Sequence, residues 1–289
     1  METQDILKKV RHIEIKTRGL SRQVFAGQYH SAFKGKGMTF SEVREYQYGD
    51  SIRDVDWNVT ARFNHPYVKV FEEERELTVM LLIDISGSKD FGTDSVFKRE
   101  FIAELAAVLS FSAIQNNDKI GVILFSSKVE KFIPPQKGRK HILRIISELL
   151  RFEPTEKGTN ISNALEYFTG MIKKRSTAFL ISDFIDRSFD NALMIANKKH
   201  DVAALRVFDP GERVMPPMGL VEFADPETGE LKTIDTSSRK NRMLYEKWWN
   251  ELEEYQRTTF RKSGVDTVNL STDEDYVQPL VKFFKKRSM

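Results

Sequence analysis

Seven residues from Leu77 to Ile83, L-T-V-M-L-L-I, form an almost unbroken apolar run that stops at Asp84. A run this short and this rich in branched side chains predicts a strand buried on both faces. Similar runs recur at Lys119 to Phe125, Thr177 to Ser182 and Val202 to Phe208, and Val129 to Ile133 alternates as an edge strand does. Between them, apolar residues fall at helical spacing. Ser95 to Gln115 places Phe97, Phe101, Leu105, Val108, Leu109 and Ser112 on one side, and further helices are predicted over Arg139 to Phe152, Asn160 to Lys174 and Asp190 to Lys199. Buried strands alternating with amphipathic helices predict an α/β fold, a doubly wound, mainly parallel sheet flanked by helices.

The flanks read differently. Ahead of Leu77 the pattern predicts a helix from residue 3 to about 24, a polar loop from Gly27 to Gly37, extended chain from Phe40 to Tyr48, a short helix from Asp54 to Arg62 and a strand from Tyr67 to Phe71. After Asp209, Pro210, Pro216 and Pro217 predict a loop, and Val221 to Ala224 and Leu231 to Asp235 can pair across Asp225-Pro226-Glu227-Thr228-Gly229. A long charged helix over Ser238 to Lys262, a strand over Val265 to Leu270 and a helix over Glu274 to Lys286 close the chain. The expected division is therefore an N-terminal extension, residues 1–76, packed on a sheet domain of residues 77–289 that carries a hairpin insertion near 216–236.

Candidate chemistry begins where the first buried run ends. Asp84, Ser86 and Ser88 occupy alternate positions, and alternate side chains of extended backbone point the same way. Three oxygen ligands thus converge at a strand's carboxyl end, where open α/β sheets bind their ligands. Two later segments offer more: Lys157-Gly158-Thr159-Asn160-Ile161-Ser162 is a glycine turn opening a helix, and Ala178 to Asp183 is a second buried strand ending in an aspartate. The plainer reading is that Ser86 and Ser88 cap the next helix and Asp84 satisfies loop amides.

Together, Asp84, Ser86, Ser88, Thr159 and Asp183 resemble the metal-ion-dependent adhesion site of the von Willebrand factor A fold, an Asp-x-Ser-x-Ser loop followed by a distant Thr and a further Asp. The resemblance narrows further. Tyr46-Gln47-Tyr48-Gly49-Asp50, Arg53-Asp54-Val55-Asp56-Trp57 and Ala61-Arg62, running into the strand at Leu77, are similar to the bacterial domain of unknown function 58 family over roughly residues 10 to 210. The resemblance implies Mg2+ or Mn2+ held by the hydroxyls of Ser86, Ser88 and Thr159, with Asp84 and Asp183 acting largely through water. An Asp or Glu carboxylate of a protein partner would be the ion's remaining ligand. It also implies association with MoxR-type AAA+ ATPases in a chaperone-like or assembly role.

Composition trims the alternatives. The 289 residues suffice for one large domain or two small ones. The net charge of +3 is too balanced to make nucleic acid the main partner. There is no cysteine, hence no disulfide or thiol chemistry, and the five histidines show no zinc-like spacing. No segment reaches the length of a membrane span and the N-terminus lacks a signal-peptide core, so a cytoplasmic location is expected. No phosphate-binding Gly-x-x-x-x-Gly-Lys-(Ser/Thr) loop occurs. The rival to a protein latch is a metal-dependent phosphoester hydrolase using the same site, with Asp90, Asp94 or Asp118 as helper. No nucleophile–base pair stands out, and the protein is read as non-enzymatic. In the N-terminal block, Arg53, Trp57 and Arg62 form either a partner surface or, the favoured reading, a brace onto the sheet domain. Asp84, read as a solvent-facing strand tip, should be replaceable without loss of stability.

Overall fold

The computed structural model describes residues 8, 10–14, 16–17, 38–73, 77–86, 98–156, 158–224 and 231–288. They divide into two compact units, one of residues 34–76 and one of residues 1–33 with 77–289.

In the smaller unit, β1 (Met38–Glu45) pairs antiparallel with β2 (Tyr67–Glu73). Between them lies the short helix α1 (Trp57–Phe63). Asp56 starts it, accepting from the amides of Asn58 and Val59, as an N-cap aspartate does. Asn64 ends it in the left-handed conformation that asparagine tolerates.

The larger unit is built on six strands: β3 (Thr78–Asp84), β4 (Lys119–Phe125), β5 (Val129–Gln136), β6 (Thr177–Ser182), β7 (Asp201–Phe208) and β10 (Asp266–Ser271). Their spatial order is β10-β7-β6-β3-β4-β5. Every neighbouring pair is parallel except β4 with β5. Numbered within the sheet this is the 3-2-1-4-5-6 order of a doubly wound fold. The edge strand β5 carries Pro134 and Pro135, which an edge tolerates and a central strand does not.

The apolar runs read from the sequence are these strands, and their alternation splits the core in two. Val79, Leu81 and Ile83 of β3 face α2 (Lys98–Gln115), α3 (Arg139–Arg151) and α8 (Val277–Ser288). Met80 and Leu82 face α4 (Ile161–Met171) and α5 (Asp190–Lys199). The helical stretch within residues 8–17 adds Val10 and Ile13 to the first core. One point departs from expectation. The stretch after Asp209 begins with a one-turn helix, α6 (Pro210–Arg213), where a loop is expected. The predicted helix start over residues 95–97 lies outside the described residues. The hairpin β8 (Leu220–Ala224) with β9 (Leu231–Asp235) and the long helix α7 (Arg239–Ser263) follow the pattern.

One buried group makes this core sensitive to acid. His200, between α5 and β7, is fully buried beside the Phe168 ring at 4.3 Å, and neither ring nitrogen has a hydrogen-bond partner among the described residues. Burial first, then the nearby charges of Lys199 and Arg175, lower its pKa to about 4. The unfolded chain therefore takes up the proton more readily. The contribution is intact above about pH 6.5 and is lost as pH falls toward 4, up to about 3 kcal/mol. Urea unfolding at pH 7 and pH 4 checks this: the stability gap between His200→Leu and wild type should move by that amount in the variant's favour at pH 4. An unchanged gap contradicts it.

Candidate functional site

Strand β3 leads to a helix on one face of the sheet and β6 to a helix on the other, so the chain diverges between their carboxyl ends. A divergence of this kind is where open α/β sheets form a ligand-binding crevice. Asp84 is the last residue of β3, and Asp183 directly follows β6. Both are buried, each 5% exposed. Asp84 is thus not the solvent-facing tip expected from sequence. The reason is its neighbour: Ile83 pairs with Ile181, which sets the end of β3 alongside Ser182.

Ser182 organises this corner. Its hydroxyl donates to Asp84 Oδ2 at 2.6 Å and accepts from the Phe184 amide at 2.9 Å. Asp84 Oδ1 accepts from the Ser86 amide at 2.9 Å, and Ser86 is itself buried. Asp183 Oδ1 accepts from the Ile185 amide at 3.1 Å. Phe184 has φ +59°, a left-handed conformation that strains a bulky side chain. It is held there by its buried ring, edge-on to Phe260 at 5.0 Å, and by Gln256 of α7, whose Nε2 donates to the carbonyls of Phe184 (2.9 Å) and Asp183 (3.3 Å). The strain turns the chain sharply enough to leave Asp183 at the crevice.

Thr159 lies on a loop tied to the end of β4. Ile85 N donates to Phe125 O, placing the end of β4 against that of β3, and the next residue, Ser126, accepts from Asn160 N at 2.8 Å. Thr159, half-buried, is the residue before Asn160, after Gly158 with φ +91°. Its loop is clamped by Glu130, which accepts from Ser126 Oγ (2.8 Å), from the amides of Thr155 and Glu156 (3.1 Å each) and from Thr155 Oγ1 (2.7 Å). Burial pulls the Glu130 carboxyl upward, but these donors outweigh it and hold the group below its ordinary range. Ser88 lies outside the described residues, as do Asp90 and Asp94. Asp118 is at the opposite end of β3, where its Oδ1 accepts from Leu77 N at 2.8 Å. That position gives it a structural task away from the crevice.

One participant has no counterpart in the sequence reading. Lys98 of α2 has a fully buried side chain whose Nζ donates to Asp183 Oδ2 at 3.1 Å and to Glu212 Oε1 of α6 at 2.6 Å. Burial pushes the Lys98 ammonium toward neutrality, but Asp183 and Glu212 together outweigh it and hold its pKa above the ordinary value. A lysine alone carries no such signal. Asp209-Pro210-Gly211-Glu212 did carry one: an N-cap aspartate with an acid three residues on is a capping box, and both of its hydrogen bonds form.

In the smaller unit Arg53, Trp57 and Arg62 are all exposed, Trp57 by 67%. The Asp–Arg pairing there is Arg44 with Asp50, bidentate at 2.7 and 2.8 Å.

Among the described residues no group of three or more His, Cys, Asp and Glu side chains could hold a metal ion, which leaves no carboxylate cage of the calcium type. The crevice instead offers hydroxyls and two buried carboxylates. Burial first, and then repulsion from Asp183, raise the Asp84 pKa to about 7, against the hydrogen bonds from Ser182 and Ser86. Two acids that resist ionising together, with hydroxyls beside them, fit a small hard cation, which removes that repulsion.

Comparison with known proteins adds the family. The model described as "Protein of unknown function DUF58" matches residues 42–255. The chain belongs to this family. An uncharacterised protein of Mycobacterium tuberculosis is 28% identical over 284 residues, covering 96% of this chain and 88% of the relative. Among solved structures, the conserved hypothetical protein BatB from Bacteroides thetaiotaomicron is similar with TM-score 0.49 and 16% identity, over 73% of this chain and 98% of that one. The SpRpn10 VWA domain is similar with TM-score 0.40 and 11% identity, over 71% and 94%. The sheet of this DUF58 protein has the strand order of a doubly wound α/β fold. No helix among its described residues is long and apolar enough to cross a membrane.

The raised Asp84 pKa has a consequence for stability. A carboxyl whose folded pKa exceeds its unfolded value near 3.8 favours folding while protonated, and that contribution is lost as pH rises through about 7. In chelator, wild type should lose roughly 2–4 kcal/mol between pH 4 and pH 8 from this group. Asp84→Asn keeps an acceptor for the Ser86 amide and a donor for Ser182. It should come close to wild type at pH 4 and exceed it at pH 8 in chemical denaturation. A variant less stable at both values contradicts this account.

Proposed function

We propose that this DUF58 protein is a non-enzymatic, divalent-metal-dependent protein-interaction module. Mg2+ or Mn2+ would be held by the hydroxyls of Ser86, Ser88 and Thr159, with Asp84 and Asp183 steering its bound waters. The observation that carries this reading is the pair of buried carboxylates at the divergence of β3 and β6, Asp84 held by the Ser182 hydroxyl and Asp183 by the Ile185 amide. When bound, the ion would supply an open, strongly positive coordination position, because a largely hydroxyl ligand set leaves most of its charge uncompensated. The chain's own part is to fix the ligands: Ser182 orients Asp84, the Phe184 turn presents Asp183, and Glu130 clamps the Thr159 loop.

A carboxylate from an acidic protein segment is the natural occupant of such a position. The MoxR-type AAA+ ATPase implied by the family resemblance is the partner to try first. Arg53, Trp57 and Arg62 supply a second contact surface in this proposal, since exposed Trp and Arg side chains favour interfaces. Of the hydrolase alternative's candidate helpers, Asp118 is occupied at the far end of the sheet, and Asp90 and Asp94 lie outside the described residues.

Wild type should retain a MoxR-type ATPase of the same organism in magnesium and release it in chelator. Asp84→Ala and Thr159→Ala should bind Mn2+ about 10–100-fold more weakly, the range seen when groups around a metal are removed, and should lose the ATPase. Equal retention by Asp84→Ala and wild type would move the contact to Arg53, Trp57 and Arg62. Magnesium-dependent phosphate release from a generic phosphoester, abolished in Asp183→Ala, would favour the hydrolase.

A further inference from the structure

Lys98 is the one buried cation at the crevice among the described residues, and the proposed interaction role does not use it. An ammonium enters a protein interior only when carboxylates compensate it. Here the shorter contact is to Glu212 at 2.6 Å and the longer to Asp183 at 3.1 Å. Glu212 is firmly placed. Its Oε2 accepts from the Asp209 amide at 3.2 Å, Asp209 Oδ2 accepts from Thr272 at 3.0 Å, and the Glu212 carbonyl accepts from Tyr245 OH at 2.5 Å. Asp183 is therefore shared between a fixed, tethered ammonium and the crevice.

Asp84, Asp183 and Glu212 with Lys98 make three carboxyl groups against one ammonium. We propose that the Lys98 ammonium is a built-in stand-in for the divalent ion: it compensates Asp183 when the ion is absent and opposes the ion's entry when it is present. Lys98 thereby sets the ion concentration at which the site fills. It is a positioning residue acting through Asp183, and the inference rests on the metal-binding reading of the crevice.

Two substitutions should shift metal affinity in opposite directions. Lys98→Met removes the competing charge while retaining the length of the stem, and should tighten Mn2+ binding by at least about tenfold. Glu212→Gln leaves the ammonium with Asp183 as its only ionised partner of the two, and should weaken Mn2+ binding by roughly three- to tenfold. A purely structural role for the triad would move both variants the same way. The measurement is Mn2+ titration by electron paramagnetic resonance, with thermal melts in Mn2+ and in chelator. Lys98→Met should also show the larger metal-induced rise in melting temperature. Opposite shifts support the proposal; equal affinities, or shifts of one sign, overturn it. If Lys98→Met does not fold, Glu212→Gln decides alone: weaker binding supports the proposal, and unchanged or tighter binding overturns it. A wild type that takes up no Mn2+ overturns the metal-binding reading itself, and this inference with it.

Discussion

A sheet covered by helices on both faces has no exposed surface except its edges and strand ends, and this constraint governs the molecule. Residues 79–83 of β3 are fully buried because α2, α3 and α8 lie on one side and α4 and α5 on the other. Chemistry can then appear only where the strands stop, and a gap forms only where successive crossovers part to opposite faces. Asp84 and Asp183 occupy that place. The two cores supply rigidity on either side of it, so the position of the carboxylates is set by packing rather than by a flexible loop.

The energetics of the crevice are those of crowded acids. Ser182 holds Asp84 through a hydroxyl that also fixes the Phe184 amide, and the strained Phe184 backbone is restrained in turn by Gln256 and the Phe260 ring. Both carboxylates are oriented and buried, and burial first, then repulsion from Asp183, raises the Asp84 pKa. Lys98 compensates part of this charge from the α2 side and ties it to α6 through Glu212. A protein built only for stability gains little from such a cluster, since apolar side chains of similar volume fill a core at lower cost. The arrangement suits a site whose charge is completed from outside.

The strands were legible because both faces are buried: Leu77 to Ile83 and Lys119 to Phe125 are apolar at nearly every position, a pattern that no exposed segment sustains. The edge strand β5 showed itself by alternation. Asp84, Ser86 and Asp183 were legible because motif and strand end coincide. Lys98 was not, since it is one of 45 basic residues and its carboxylate partners are 85 and 114 positions away. Ser182 read as the last residue of a strand, and nothing local marks a hydroxyl that will bridge two chain segments. The burial of Asp84 was missed for the same reason: it depends on the β3–β6 register, a long-range fact. Helix α6 was within reach of a capping-box reading but was obscured by the prolines around it.

The central claim is that the carboxyl ends of β3 and β6 hold one divalent cation. Crystals grown with manganese and measured at its absorption edge test it most directly. The account predicts a single anomalous peak at this crevice, within coordinating distance of Ser86 and Thr159 hydroxyls and one water away from Asp84 and Asp183, with Lys98 still on Glu212. A crevice without a peak, at a manganese concentration that saturates exposed carboxylates elsewhere on the protein, would contradict it.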